Sequence, residues 1–251
     1  MTPMSGFRAV LLAGLAACGP LQAATAQAAE DPASSAEKAQ AAFFARDAAA
    51  LAQLAAATAP WSKSTAPREL YAQAYVQFRA QQVATIGGRN ADVEKAGDAC
   101  VAATAAALRR DPRFTEAHAL QGACYGYLAG LGGFGAIRNG GRSAKATEAA
   151  LALEAGNPRA ILTDAFSLYV RPKIAGGDKA QGCARFRAAA AAFDAAPPAA
   201  PSGIAWGAPE AHYWVGRCAT EAGDPALARR EYEKALALAP DFTAARKALG
   251  R

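Results

Sequence analysis

Between residues 35 and 250 the apolar positions recur mostly at three- and four-residue intervals, and Gly or Pro interrupts them about once per helix length. The segments bounded in this way are 35–58, 67–86, 91–110, 114–130, 143–155, 158–171, 177–195, 208–222, 225–238 and 241–250. They predict ten helices and no strand. The most strand-like stretch, Ile161 to Val170 between Pro158 and Pro172, still spaces Leu162, Ala165, Phe166 and Tyr169 as a helix does. Leu227, Tyr232, Ala235 and Leu236 form one apolar stripe. Ala180, Cys183, Ala184 and Phe186 form another, so each helix has a face to bury against a neighbour.

The pattern also repeats. Glu116, Ala117, His118, Gly122 and Cys124 recur at the same spacing as Glu210, Ala211, His212, Gly216 and Cys218, and the chain's two histidines occupy the same slot of that motif. The two segments are therefore read as structural equivalents. Residues 209 to 240 resemble a tetratricopeptide repeat: Val215, Gly216, Ala228, Tyr232 and Pro240 fill slots of its pattern. His212 stands where that pattern has tryptophan and Ala219 where it has tyrosine, although the earlier segment does place Tyr125 in the tyrosine slot. Gly216 would let the first helix of a pair approach the second closely, Ala228 would offer it a small surface, and Pro240 would end the pair. The GGD at 176–178, the WGAPEA at 206–211 and the closing APDF resemble exported bacterial repeat proteins, and the likeness extends over roughly residues 90–250.

The resemblance implies an all-α fold, an α-α solenoid of about four helical pairs occupying residues 35–251, whose first helices line a groove that holds a protein or peptide. In such a stack the early part of a second helix meets the late part of the next first helix. That places Cys100 with Cys124 and Cys183 with Cys218 as disulfides, with buried free thiols as the alternative.

Composition agrees with helices, since the 53% hydrophobic content is dominated by alanine. A formal charge of +6, carried by scattered single and paired basic residues, gives no nucleic-acid footprint. Arg8 followed by the apolar run of residues 9–18 reads as a secretory signal too short to span a bilayer. Two ends for it compete. Leu15 to Cys18 resembles a lipoprotein box, which would make 1–18 the signal and Cys18 the lipidated residue. Ala26, Gln27 and Ala28 would instead release a soluble protein after residue 28. Residues 19–34 read as a flexible tether. Export, to the periplasm or to a membrane-anchored form facing it, would also suit the four remaining cysteines.

Candidate chemistry is sparse. Gly130, Gly132 and Gly135 spell a dinucleotide fingerprint, but a predicted helix rather than a strand precedes them, so the glycine-rich stretch reads as a loose connection. Arg138, Arg142 and Lys145 lie beside a helix start that Ser143 could cap, an arrangement suited to an anion. His118 and His212 fall in a helix-contact slot. No metal spacing, no nucleophile turn and no locally paired carboxylates occur, so neither metal, cofactor nor catalytic residues are assigned. Trp206, Tyr213 and Arg217 cluster at the last clear repeat, and aromatics with arginine favour binding hot spots. The expectation is a noncatalytic scaffold of the cell envelope that binds a protein or peptide and touches membrane only through an N-terminal lipid. The alternative is a periplasmic binder of a small anionic solute, for example an accessory component of a transport system.

Overall fold

In the computed structural model, which describes residues 31–195 and 202–251, helix follows helix with short connections. The leader and Cys18 lie outside these residues, as does most of the segment read as a tether. The α-helices are α1 (Pro32–Ala45), α2 (Ala48–Thr58), α3 (Pro67–Ile86), α4 (Asn90–Arg110), α5 (Thr115–Ala129) and α6 (Gly133–Leu153). After them come α7 (Pro158–Val170), α8 (Lys179–Ala195), α9 (Ala208–Glu221), α10 (Pro225–Leu238) and α11 (Thr243–Ala248). No strand occurs among the described residues.

Two boundaries depart from the sequence reading. The segment 35–58 is two helices: Arg46 turns left-handed at φ 60°, and the Asp47 side chain caps α2 by accepting from the Ala50 N–H. The first of them starts at Pro32, behind an Asp31 cap and inside the end of the expected tether. The second departure is at the glycines. α6 begins at Gly133, ten residues before the expected start, and runs through Gly135, Gly140 and Gly141. Packing overrides local preference here: Asn139, Ser143, Ala146, Thr147 and Ala150 form one buried stripe, and the Ser143 hydroxyl donates to the Gly122 carbonyl at 2.7 Å.

Four antiparallel pairs, α3/α4, α5/α6, α7/α8 and α9/α10, stack in order, with α1 and α2 packed on α3 and α11 following α10. The motif glycines sit where backbones meet. A Cβ on Gly122 would lie 2.6 Å from the Thr147 hydroxyl. One on Gly216 would lie 2.7 Å from the Tyr232 ring and 3.1 Å from the Ala228 carbonyl. Both disulfides form as expected, Cys100–Cys124 tying α4 to α5 and Cys183–Cys218 tying α8 to α9, with Cα separations of 6.3 and 5.8 Å.

The stack curves until its ends touch. The Thr243 hydroxyl at the start of α11 donates to the Phe44 carbonyl of α1 at 2.8 Å, and the Phe44 and Phe242 rings lie 4.5 Å apart. α3 is consequently enclosed along most of its length, with Leu70, Tyr71, Ala72, Ala74, Tyr75 and Val76 all buried.

The same substitution should therefore act with opposite sign at different glycines. Gly216→Ala overpacks the α9/α10 contact and should destabilise by about 1–3 kcal/mol. Gly140→Ala and Gly141→Ala, where an added Cβ meets nothing within 4 Å, should each stabilise by up to about 1 kcal/mol in thermal or urea melts. A stabilising Gly216→Ala would contradict the close approach.

Candidate functional site

The concave side of the stack, which the first helices face, is filled from within. The connection entering α9 folds over it: Ile204 and Trp206 are buried, the Trp206 indole N–H donates to the Tyr71 hydroxyl at 2.7 Å, and the Ser202 N–H donates to Glu116 Oε2 at 3.3 Å. Gly207 makes the turn into α9 at φ 100°, where a Cβ would strike the Phe193 ring at 2.6 Å. Trp206 then rests against the rings of Phe78 and Tyr75, at 5.9 and 6.1 Å between centroids.

Two buried arginine–glutamate pairs brace this interior, and the glutamates are the equivalent residues of the repeated motif. Glu116 of α5 accepts from Arg159 of α7 at 2.8 Å, between neighbouring pairs. Glu210 of α9 accepts from Arg79 of α3, 131 residues away. Arg79 is fully buried and its donors are widely used. Nε donates to the Tyr75 hydroxyl at 2.8 Å, Nη1 to Gln82 at 2.7 Å, and Nη2 to Gln40 at 3.2 Å as well as to Glu210. Its guanidinium carbon lies 4.4 Å from the Phe43 ring centroid and 4.9 Å from that of Tyr75. Burial opposes the charge on Arg79, but Glu210 and Tyr75 outweigh it and hold its pKa above the ordinary arginine value. Burial pushes the Tyr75 phenol up, with Arg79 pulling the other way, so it is neutral at physiological pH.

What remains open beside the pair is a cavity of about 270 Å³. Phe78, Arg79, Trp206 and Glu210 form its deep side. Tyr127, Phe166, Tyr213 and Trp214 are half-buried walls, and Arg46 and Arg217 also line it. Arg217 lies 5.1 Å over the Trp214 ring and 3.6 Å from Glu221. Glu210 Oε2 is buried away from solvent and has no hydrogen-bond partner among the described residues.

The three groove candidates, Trp206, Tyr213 and Arg217, thus come together, but in a cavity rather than along an open channel, and Trp206 belongs to the deep side. The anion-site candidates do not join them. Ser143 lies in the interior of α6, where it bonds to α5 instead of capping a helix start, so the free amide groups that the site required are absent beside Arg142 and Lys145. Arg138, Arg142 and Lys145 are exposed on the outer face of α6, with Arg142 5.7 Å over the Tyr125 ring. His212 is buried, Nδ1 2.8 Å from Glu231 and Nε2 3.1 Å from Asp194, and so joins α9 to α10 and α8. His118 contacts the Pro112 carbonyl at 2.9 Å. The residues missed from sequence are Arg79 and Glu210. The available signal was a charged residue at the same slot of both repeats and an arginine inside an apolar helix.

Residues 209–242 match the family model of the tetratricopeptide repeat. Among solved structures, the chain resembles the HusA haemophore from Porphyromonas gingivalis with a TM-score of 0.60 at 18% identity, over 75% of this chain and 92% of that one. It also resembles TTC0263, a thermophilic TPR protein of Thermus thermophilus, with a TM-score of 0.54 at 15% identity, over 89% of this chain and 100% of that one. At such identities the likeness is one of fold. No curated protein matches the sequence.

Arg79→Met strands a buried carboxylate and should destabilise by about 3–5 kcal/mol, and adding Glu210→Met should recover part of that loss. Additive losses in the double variant, measured by denaturant melts, would show that the pair is not coupled.

Proposed function

We propose that this chain, a helical repeat protein of the tetratricopeptide type, is a noncatalytic binding scaffold of the cell envelope that holds a protein or peptide partner by one bulky side chain seated in the concave cavity. The observation that carries this reading is the cavity itself. Its half-buried walls are aromatic, and Arg217 stands beside them. Aromatic rings with arginine are what interface hot spots use. The volume of about 270 Å³ suits a single large side chain better than an extended backbone.

The cysteine chemistry supports a compartment. Two disulfides between adjacent repeats persist in an oxidising environment, which supports an exported protein. On this reading the segment 1–18 or 1–28 is the export signal, and Cys18 is the anchor if it is lipidated.

A second reading has its own observation. Arg46 and Arg217 line the same aromatic cavity, so a small ring-bearing solute with an anionic group would also find complementary chemistry there. The haemophore among the fold neighbours makes carriage of a small ligand by this architecture a concrete alternative. In this version the solute site is the cavity and not the outer face of α6.

Purification from envelope extracts with bound material retained, followed by mass spectrometry of proteins and of small molecules released on denaturation, separates the two. The scaffold reading expects one reproducible partner whose affinity falls about tenfold or more with Tyr213→Ala and with Arg217→Ala. The melting curve of Arg217→Ala should stay close to that of the parent. A stoichiometric anionic solute would establish the second reading, and undiminished capture by both variants would remove the cavity from either.

A further inference from the structure

The exposed apolar side chains of this protein are concentrated on one edge. Six large ones stand more than half exposed among the described residues. Ile86, Phe134, Ile137, Val170 and Ile174 all lie at or beside the turn from the first to the second helix of a pair, in α3/α4, α5/α6 and α7/α8. In a stack of antiparallel pairs those turns follow one another along a single edge. Leu238, at the end of α10, is the only one of the six on the opposite edge. Phe134 and Ile174 are 97% and 99% exposed, so they project almost free of the protein.

The charges around them have a consistent order. On α6 the residues Phe134, Ile137, Arg138, Gly141, Arg142 and Lys145 recur at three- and four-residue spacing, and all are exposed or partly so, forming one outward stripe. The apolar tip comes first and the cations follow, Arg142 about 12 Å behind Phe134 along the helix axis. Lys173 stands beside Ile174 at the next turn. None of Arg138, Arg142, Lys145 and Lys173 enters an ion pair among the described residues. Acidic groups also stand near this edge: Asp92 pairs with Arg89, Glu94 is exposed near the start of α4, Glu221 accepts from Tyr169, Asp224 caps α10, and Asp178 caps α8 with its carboxylate favoured in part by Lys173, whereas on α6 no acidic residue precedes Glu148, beyond the cationic stripe.

We infer that this edge docks on a bilayer surface bearing anionic lipids, with Phe134, Ile137 and Ile174 entering the interface and Arg138, Arg142 and Lys173 meeting the lipid phosphates. A protein interface would call for a contiguous apolar core, whereas single projecting side chains with cations set back by one or two turns match the graded polarity of a membrane interface. The α6 N-terminus, pointing the same way, adds its partial positive charge to the contact. Contact is peripheral, because no described helix is long and apolar enough to cross a membrane. Ile86 belongs both to this edge and to the cavity lining, but Phe134, Ile137, Ile174, Arg138, Arg142 and Lys173 do not line the cavity, so the contact stands whatever that cavity holds.

The test is flotation of the full chain with phosphatidylcholine vesicles made with and without phosphatidylglycerol. Binding should favour the anionic vesicles. Phe134→Ser/Ile137→Ser and, separately, Arg138→Gln/Arg142→Gln should each lower that partition about tenfold or more, with unchanged melting since these side chains lie on the outer face. Equal binding to both vesicle types, or undiminished binding by either double variant, would overturn the proposal. Loss in the charge variant alone would reduce the contact to electrostatic adsorption and would likewise overturn insertion.

Discussion

The closed form of this protein turns on one buried contact, the Arg79–Glu210 pair that joins α3 to α9 across the concave side. An arginine without solvent exposure is unfavourable unless its donors are met, and here Tyr75, Gln82, Gln40 and Glu210 meet them, with aromatic rings covering the guanidinium faces. Such a pair adds little net stability over a well-packed apolar replacement, but it accepts only one geometry. It fixes how far the stack must curve before the first and last pairs meet. The contacts between Phe44, Phe242 and Thr243, and the seating of Trp206 on Tyr71, accompany that curvature.

The helices themselves were legible because their signals are local. Gly and Pro punctuation with three- and four-residue spacing placed α3, α4, α5, α7, α8, α9 and α10 to within a few residues. The failures share a cause. The break at Arg46 was missed because a left-handed arginine carries no glycine signal, although Asp47 is a normal cap. The early start of α6 was missed because glycine was read by propensity, while the buried stripe beginning at Asn139 decides the matter through contacts with α5. Repeat logic did better on long-range order. The repeat pattern anticipated the close approach at Gly216, and the placing of cysteines early in a second helix and late in the next first helix anticipated both disulfides.

For the candidate site, the sequence located one wall and not the chemistry. Tyr213, Arg217 and Trp206 lie close together in the chain, so proximity could be seen directly. Arg79 and Glu210 are 131 residues apart and meet only because the stack closes, a property of curvature that no local pattern encodes. The same closure explains why a groove was expected and a cavity found. An open stack of first helices would present a long concave surface, but here Ile204 and Trp206 are packed into it, and the cavity lies beside the ion pair.

The two motif glutamates show how a repeat can be turned from one task to another without changing its residues. Glu116 reaches Arg159 in the following pair, the contact expected between neighbours in a stack. Glu210 has the same position in its own motif, but the following helix α11 carries Ala244 as its second residue, where α7 carries Arg159. Glu210 instead meets Arg79 on the far side, and one equivalent slot serves as a rung in one pair and as a clasp in the other. The clasp uses a single carboxylate oxygen. Its second oxygen is buried without a partner among the described residues, and Arg79 and Glu210 both line the cavity, so the pair that closes the stack also borders the space it encloses.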